Sequence, residues 1–222
     1  MKINYCLIAH PRSGSTYLRF IISFLLKTYA MQPNHNNDST FKNWPPNLEN
    51  KKSIHFRKYH NIREYRIKQS FLTKHSKITK HIIIIRNPIS NIKTNCKYDN
   101  KFPEQLHKTR HYKNYWNNIK FIDDLDENIL VISYHNLTSG DTTLHFKEIA
   151  KMIKFFDLSE DAIKNYEYEK IKLLSKNLYP RKENVDTWFD TKELYDLCKK
   201  KIDKLKNEEL KQILYYELDQ DI

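Results

Sequence analysis

Glycine and cysteine are scarce in this sequence, and it has no long apolar run. Only 2 of its 222 residues are Gly and 3 are Cys, which excludes collagen-like chains and a dense disulfide scaffold. Cys6, Cys96 and Cys198 stand far apart without a CxxC pair, so we expect a reducing compartment and neither a disulfide nor a metal site. No apolar segment approaches the roughly 20 residues of a membrane span, and none has the form of a signal-peptide core. The sequence therefore predicts a cytoplasmic protein.

Positive charge exceeds negative charge by a wide margin. The chain has 39 Lys and Arg against 27 Asp and Glu, a formal net charge of +12 and a pI near 9.4. Such a surplus suits a partner that carries phosphate or sulfate, such as a nucleotide, a nucleic acid, an anionic lipid or an acidic glycan. An AT-rich genome would also favour Lys codons, so the charge alone does not choose among these partners.

Apolar segments of strand length alternate with segments of helical periodicity. The predicted strands are Ile3–Ala9, Ser53–Phe56, Phe71–Lys74, His81–Ile85 and Ile129–Ser133. The predicted helices are Tyr17–Tyr29, one that begins at Pro88, Pro103–Leu125 and Thr143–Phe156, with a further helical pattern in the last third of the chain. Such alternation favours an α/β fold with a parallel sheet covered on both faces by helices. Without internal repeats or a linker, residues 1–222 are predicted to form one domain.

A loop of small and hydroxyl residues follows the first predicted strand. In order, it contains Pro11, Arg12, Ser13, Gly14, Ser15 and Thr16. A strand, a small-residue turn and a helix start form the usual backbone site for an anion, because the helix N-terminus carries about half a positive charge. Arg12 adds a full charge and the hydroxyl groups add donors. The loop lacks the GxxxxGK[ST] pattern of nucleoside triphosphatases, so it predicts phosphate binding of another kind.

A second pattern of this kind follows the predicted strand His81–Ile85. Arg86 comes where that strand ends, at the edge of the sheet where α/β folds bind ligands. Thr94 lies further along, one to two turns into the next predicted helix. An Arg and a hydroxyl in these positions are suited to hold one phosphate from two sides.

Together these two segments resemble motifs of the sulfotransferases that use 3′-phosphoadenosine 5′-phosphosulfate (PAPS). Residues 11–19 are similar to the family's 5′-phosphosulfate loop, with Tyr17 where Trp is commoner, and residues 86–94 are similar to its 3′-phosphate motif, with Thr94 in place of Ser. Two later segments follow in the family's order. Tyr134–Leu137 resembles its Tyr-Glu-Asp element, without the two acids, and Arg181–Trp188 resembles its Arg-Lys-Gly-x-x-Gly-x-Trp element, with Glu183 and Asp186 in place of the glycines.

The resemblance implies a three-layer P-loop-type fold and an enzyme that transfers a sulfuryl group directly from PAPS to an acceptor, without a metal. The desulfated product would be adenosine 3′,5′-bisphosphate. By this resemblance, the loop residues Arg12–Thr16 would hold the 5′-phosphate side, Tyr17 would stack on the adenine, and Arg12 would also assist catalysis. The remaining nucleotide-binding residues that it implies are Arg86, Thr94, Tyr134, Arg181 and Lys182.

The resemblance also implies a histidine that takes the proton from the acceptor. Phe71–His75 is similar to the family's Phe-Leu-Lys-Thr-His, with Lys and Thr exchanged, whereas Lys58-Tyr59-His60 keeps the Lys-x-His pattern. We favour His75, because the apolar pair before it offers a strand on which to sit. A histidine with a pKa near 6.5 is a suitable base for a hydroxyl at neutral pH.

The sequence allows three alternative functions to be considered. A P-loop kinase is disfavoured, because Arg86 stands where its magnesium-binding Asp would be expected. A basic nucleic-acid-binding module would use the net charge, although we expect no nucleic acid as partner, and a nucleotide-binding pseudo-enzyme would keep the fold without the activity. The predicted acceptor is a polar hydroxyl or amine compound, most simply a carbohydrate, because residues 31–60 and 98–110 are polar and basic.

Overall fold

The computed structural model describes residues 3–26, 55–59, 78–100, 105–125, 129–164, 166–169, 171–173 and 191–221. The strands are β1 (Ile3–Ile8), β2 (His55–Tyr59), β3 (Ile78–Ile85) and β4 (Ile129–Ser133). The helices are α1 (Ser15–Leu26), α2 (Pro88–Tyr98), α3 (Arg110–Asp123), α4 (Tyr134–Thr138), α5 (Thr142–Phe156), α6 (Asp161–Lys164), α7 (Thr191–Ile202) and α8 (Glu208–Leu218), with 3₁₀ turns at Leu106–Lys108 and Asp219–Asp221. No helix within these ranges is both long and apolar enough to cross a membrane.

The four strands form one parallel sheet in the order β2-β1-β3-β4. Ile8 at the end of β1 pairs with Tyr59 on one side and with Ile83 on the other. Ile85 at the end of β3 pairs with Ser133 at the end of β4. Because all four strands run in the same direction, the segments that follow them emerge at one edge of the sheet.

The apolar residues of the strands alternate between two cores, one on each face of the sheet. Ile82 and Ile84 pack with α1 and α5, whereas Ile83 and Ile85 pack with α2, α3, α7 and α8. Each of these four side chains is at most 3% exposed. Four consecutive Ile are therefore what a strand buried on both faces requires, and the three-layer α/β architecture predicted from the sequence is confirmed.

Two predicted strands have different bounds in the structure. The strand expected at Ser53–Phe56 extends to Tyr59, and the strand expected from His81 already begins at Ile78. In both cases pairing with β1 continues along the main chain beyond the apolar residues, and main-chain hydrogen bonds do not depend on side-chain polarity. The strand predicted at residues 71–74 lies outside the described residues.

The helix predicted as continuous over Pro103–Leu125 is divided in the structure. A 3₁₀ turn at Leu106–Lys108 is followed by Thr109 in an extended conformation, and α3 begins only at Arg110. The Thr109 hydroxyl accepts a hydrogen bond from the Tyr112 amide at 3.1 Å and donates one to the Leu106 carbonyl at 2.7 Å. Thr109 thus caps the helix N-terminus, a competing interaction that the apolar periodicity does not reveal.

We expect Thr109→Ala to lower the free energy of unfolding by about 0.5–2 kcal/mol, because the first turn of α3 then loses its side-chain acceptor. Thr109→Ser keeps the hydroxyl and should lose much less. Urea unfolding of the two variants beside the unmodified protein measures the difference. Equal losses in both variants would show that the hydroxyl does not determine where α3 begins.

Candidate nucleotide-binding site

The loop after β1 is held in shape by hydrogen bonds to its own main chain. The Ser13 amide and hydroxyl both donate to the His10 carbonyl, at 3.2 and 2.7 Å. Ser13 is buried, so its hydroxyl serves the turn in this structure. Arg12 has φ 64° and Gly14 has φ 82°, and this left-handed conformation is unusual for a residue with a side chain. Contacts from outside the loop therefore have to stabilise the left-handed conformation of Arg12.

Two asparagines of α2 and the arginine after β3 supply those contacts. Asn91 and Asn95 each direct an amide nitrogen to the Pro11 carbonyl, at 3.1 and 3.0 Å. Arg86 donates from Nη1 to the Arg12 carbonyl at 2.8 Å. The peptide units on both sides of the Arg12 Cα are thus fixed by the segment that follows β3. These hydrogen bonds join the loop after β1 to the segment after β3, the two segments that were predicted to bind the two phosphates of one nucleotide.

Tyr134, the first residue after β4, lies directly over Gly14. A Cβ atom placed on Gly14 would stand 2.5 Å from both Cδ2 and Cε2 of the Tyr134 ring. The Arg86 guanidinium carbon lies 5.0 Å from the centre of the same ring. Gly14, Arg86 and Tyr134, three residues predicted for the site, are therefore neighbours at the carboxyl edge of the sheet.

The first turn of α1 continues the site beyond Gly14. The first hydrogen bond at this end of the helix runs from the Leu18 amide to the Gly14 carbonyl, and the amides before Leu18 are those that lack an acceptor within a helix. Ser15 is buried, whereas Thr16 and Tyr17 are half-buried. Burial raises the pKa of Tyr17, and the nearby Tyr168 and Tyr134 raise it further, so its hydroxyl stays neutral at physiological pH.

The Arg12 side chain packs on Tyr98 of α2. Its guanidinium carbon lies 3.8 Å from the centre of the Tyr98 ring, a cation–π contact at the exposed end of α2. Tyr98 is 70% exposed.

Thr94 lies on α2 with its hydroxyl bonded within the helix, donating to the Ser90 carbonyl at 2.7 Å. The Thr94 oxygen can still accept a hydrogen bond. To donate a hydrogen bond to a phosphate, the hydroxyl would first have to rotate away from the Ser90 carbonyl. His60, His75, Arg181 and Lys182 lie outside the described residues. Of the side chains that the structure does describe, no group of three or more His, Cys, Asp or Glu is arranged to hold a metal ion.

Several residues of this site were not identified from the sequence. Asn91 and Asn95 contact the loop after β1, and Tyr98 stacks on Arg12. The two asparagines are four residues apart and therefore on one face of α2, a spacing that was available in the sequence. Nothing in the sequence indicates that this face points to the Pro11 carbonyl, since that depends on how α2 crosses the sheet.

Comparison with known proteins gives a likeness in structure alone. No protein-family model and no curated protein matches the sequence. A solved structure that is similar is the crystal structure of mouse sulfotransferase SULT7A1 complexed with PAP, with a TM-score of 0.56 and 14% sequence identity. The likeness covers 97% of this chain and 89% of that chain. The chain has a sulfotransferase-like fold. Three layers and a parallel sheet were predicted, and this comparison confirms them as the sulfotransferase arrangement.

We expect Gly14→Ala to destabilise the protein more than Gly140→Ala, the matched control. Both glycines have positive φ, so each substitution should cost about 1–2 kcal/mol in the free energy of unfolding. A Cβ on Gly140 meets nothing within 4 Å, whereas a Cβ on Gly14 collides with Tyr134. This overlap should add about 1–3 kcal/mol for Gly14→Ala. Urea unfolding of both variants tests the contact, and equal losses would refute it.

Proposed function

We propose that this protein is a PAPS-dependent sulfotransferase whose acceptor is a polar hydroxyl or amine compound. The observation that carries the proposal is the hydrogen bond from Arg86 to the Arg12 carbonyl. It brings together two segments that each resemble a phosphate-binding motif of that family. A fold like that of a sulfotransferase complexed with PAP supports the same assignment.

The residues present fit a nucleotide with one phosphate at the 5′ position and one at the 3′ position of its ribose. The start of α1 offers main-chain amides and the hydroxyls of Ser15 and Thr16 for the 5′-phosphate. Arg86 has five N–H donors, of which the Arg12 carbonyl receives one at Nη1. Its other N–H groups bond to no residue that the structure describes and can meet the 3′-phosphate. Gly14 leaves room for the Tyr134 ring beside the loop.

Each residue of the site has a defined part in this proposal. PAPS, when bound, supplies the sulfuryl group for transfer. Arg12 adds positive charge beside the loop, while Ser13 and Gly14 keep the turn in shape. Thr94 and Arg86 hold the 3′-phosphate with Arg181 and Lys182, and Tyr17 and Tyr134 lie alongside the base. Charge-assisted contacts of this kind are strongest where the site excludes water.

The base that takes the acceptor's proton is one of two histidines. The sequence favours His75, whereas the end of β2 at Tyr59, paired with Ile8, brings the chain to the edge of the sheet directly before His60. The strand predicted at Ser53–Phe56 ended before Lys58, whereas β2 includes Lys58 and Tyr59 and ends directly before His60. We therefore propose His60 as the base and keep His75 as the alternative.

We expect adenosine 3′,5′-bisphosphate to bind about 10- to 150-fold more tightly than 5′-AMP, because Arg86 makes a charged contact with the 3′-phosphate worth roughly 1.5–3 kcal/mol. Arg86→Ala should remove this preference. Lys120→Ala, which removes one exposed positive charge from α3, should keep it. Calorimetry with both nucleotides measures the ratio. Equal affinities for the unmodified protein would contradict the proposed function.

The two histidines are separated by single substitutions. We expect His60→Ala to reduce turnover by roughly 10²–10⁴-fold with nearly unchanged affinity for adenosine 3′,5′-bisphosphate, because a base contacts the acceptor and not the nucleotide. His75→Ala should have a mild effect. Transfer of labelled sulfate from PAPS to a panel of glycans and small alcohols provides the assay. If His75→Ala removes activity and His60→Ala does not, the base is His75.

A further inference from the structure

The peptide unit between Arg86 and Asn87 is held from both sides by side chains of two distant helices. Its carbonyl accepts a hydrogen bond from the Tyr115 hydroxyl of α3 at 2.9 Å. Its N–H, which belongs to Asn87, donates to Oε2 of Glu217 in α8 at 3.1 Å. Both polar groups of this one peptide are thus satisfied by side chains, so its orientation is fixed by α3 and α8.

Tyr115 is suited to a permanent donor role. It is 3% exposed and packs in the core beneath the carboxyl edge of the sheet, with its ring 5.3 Å from that of His10. Burial raises the pKa of Tyr115 well above its ordinary value, with Cys198 and Glu217 adding to the effect and Arg86 opposing it. The hydroxyl therefore keeps its proton across the physiological range and donates to the Arg86 carbonyl throughout.

Glu217 contacts the other side of the site as well. Its Oε1 accepts from the Ser133 hydroxyl at 2.5 Å and from the His135 amide at 2.8 Å. Ser133 and His135 flank Tyr134, so one carboxylate joins the segment that carries Arg86 to the segment that carries Tyr134. Glu217 is 1% exposed, and three donors to one buried carboxylate make strong, charge-assisted hydrogen bonds.

Asn87 strengthens the same junction. Its side-chain nitrogen, Nδ2, donates to the main-chain carbonyls of Glu217 and Leu218, at 2.9 and 3.1 Å. Its side-chain oxygen, Oδ1, accepts from the main-chain amides of Ile89 and Ser90. It therefore caps the start of α2 and binds the end of α8 at the same time. The contact places the end of α8 against the residue that follows Arg86.

We propose that Tyr115 and Glu217 are positioning residues that hold the Arg86–Asn87 peptide and so direct Arg86 at the 3′-phosphate of the nucleotide. The inference rests on the proposed function. Neither residue needs to touch the nucleotide. Because Glu217 also holds the segment of Tyr134, and Arg86 also holds the loop after β1, part of their effect is common to all adenine nucleotides. The part that concerns the 3′-phosphate appears as a change in the ratio of the affinities for two nucleotides.

The substitutions that test this are Glu217→Gln and Tyr115→Phe, with the full chain and two nucleotides as probes. Gln offers one oxygen in place of two, so its NH₂ group must face either the Asn87 amide or the His135 amide, both of which are donors. Phe removes only the hydroxyl that binds the Arg86 carbonyl. Calorimetry measures the affinity for adenosine 3′,5′-bisphosphate divided by that for 5′-AMP, which cancels effects common to both. We expect this ratio to fall by about 2- to 10-fold in each variant.

Each test variant has a control of the same chemical type, a buried carboxylate for Glu217 and a buried tyrosine of the same helix for Tyr115. Glu148 of α5 is also a buried carboxylate, which accepts from the Ser133 amide and from the Asn136 side chain but does not contact the Arg86–Asn87 peptide. Tyr112 is buried one turn before Tyr115, and its hydroxyl has no hydrogen bond to any described residue. Glu148→Gln removes charge from a buried carboxylate as Glu217→Gln does, and Tyr112→Phe removes a buried hydroxyl as Tyr115→Phe does, but both controls should leave the affinity ratio unchanged.

The possible results separate the inference from the function on which it rests. A ratio that falls in Glu217→Gln and Tyr115→Phe, but not in the controls, supports both. An unchanged ratio in both test variants, or an equal fall in the controls, overturns the positioning role and leaves the proposed function intact. An unmodified protein without preference for adenosine 3′,5′-bisphosphate overturns both. If Glu217→Gln does not fold, Tyr115→Phe decides by the same criterion.

Discussion

Every contact at the candidate site depends on the parallel pairing of β1 with β3. This pairing places the loop after Ile8 beside the segment after Ile85, so the Arg86 side chain reaches the Arg12 carbonyl. In an antiparallel pair the two segments would leave the sheet at opposite edges. The apolar run of β3 keeps that arrangement in register, because its alternate Ile side chains are buried in different cores and a shift by one residue would exchange them.

The loop after β1 is stabilised through carbonyl groups more than through charge pairs. The Pro11 and Arg12 carbonyls receive three side-chain donors from Asn91, Asn95 and Arg86. The Ser13 donors are used within the loop, whereas the amides before Leu18 in the first turn of α1 have no acceptor within the helix, which is the polarity that an anion needs. In the proposed function Arg86 has two roles, since one of its N–H groups donates to the Arg12 carbonyl and the others would bind the nucleotide.

The sequence predicts the layers of this fold and the order of its motifs well. Four consecutive Ile indicate a strand buried on both faces, and a strand followed by small residues and a helix indicates an anion site. Boundaries set by single hydrogen bonds are less predictable, as at Thr109, where a cap starts a helix within an unbroken apolar pattern. Tyr115 and Glu217 have no local signal at all. Their partners lie 29 and 130 residues away, and only the packing of α3 and α8 on the sheet brings them to Arg86 and Asn87.

The contact between Asn87 and Glu217 also determines when, during synthesis of the chain, the edge of the sheet can be completed. The ribosome must add 130 residues after Asn87 before Glu217 exists, which takes roughly 6 to 26 s at the usual rates of elongation. During that interval the start of α2, the loop after β1 and the turn after β4 can form without the carboxylate that joins them. A nascent chain can therefore form the four-stranded sheet before Glu217 is available to complete its carboxyl edge.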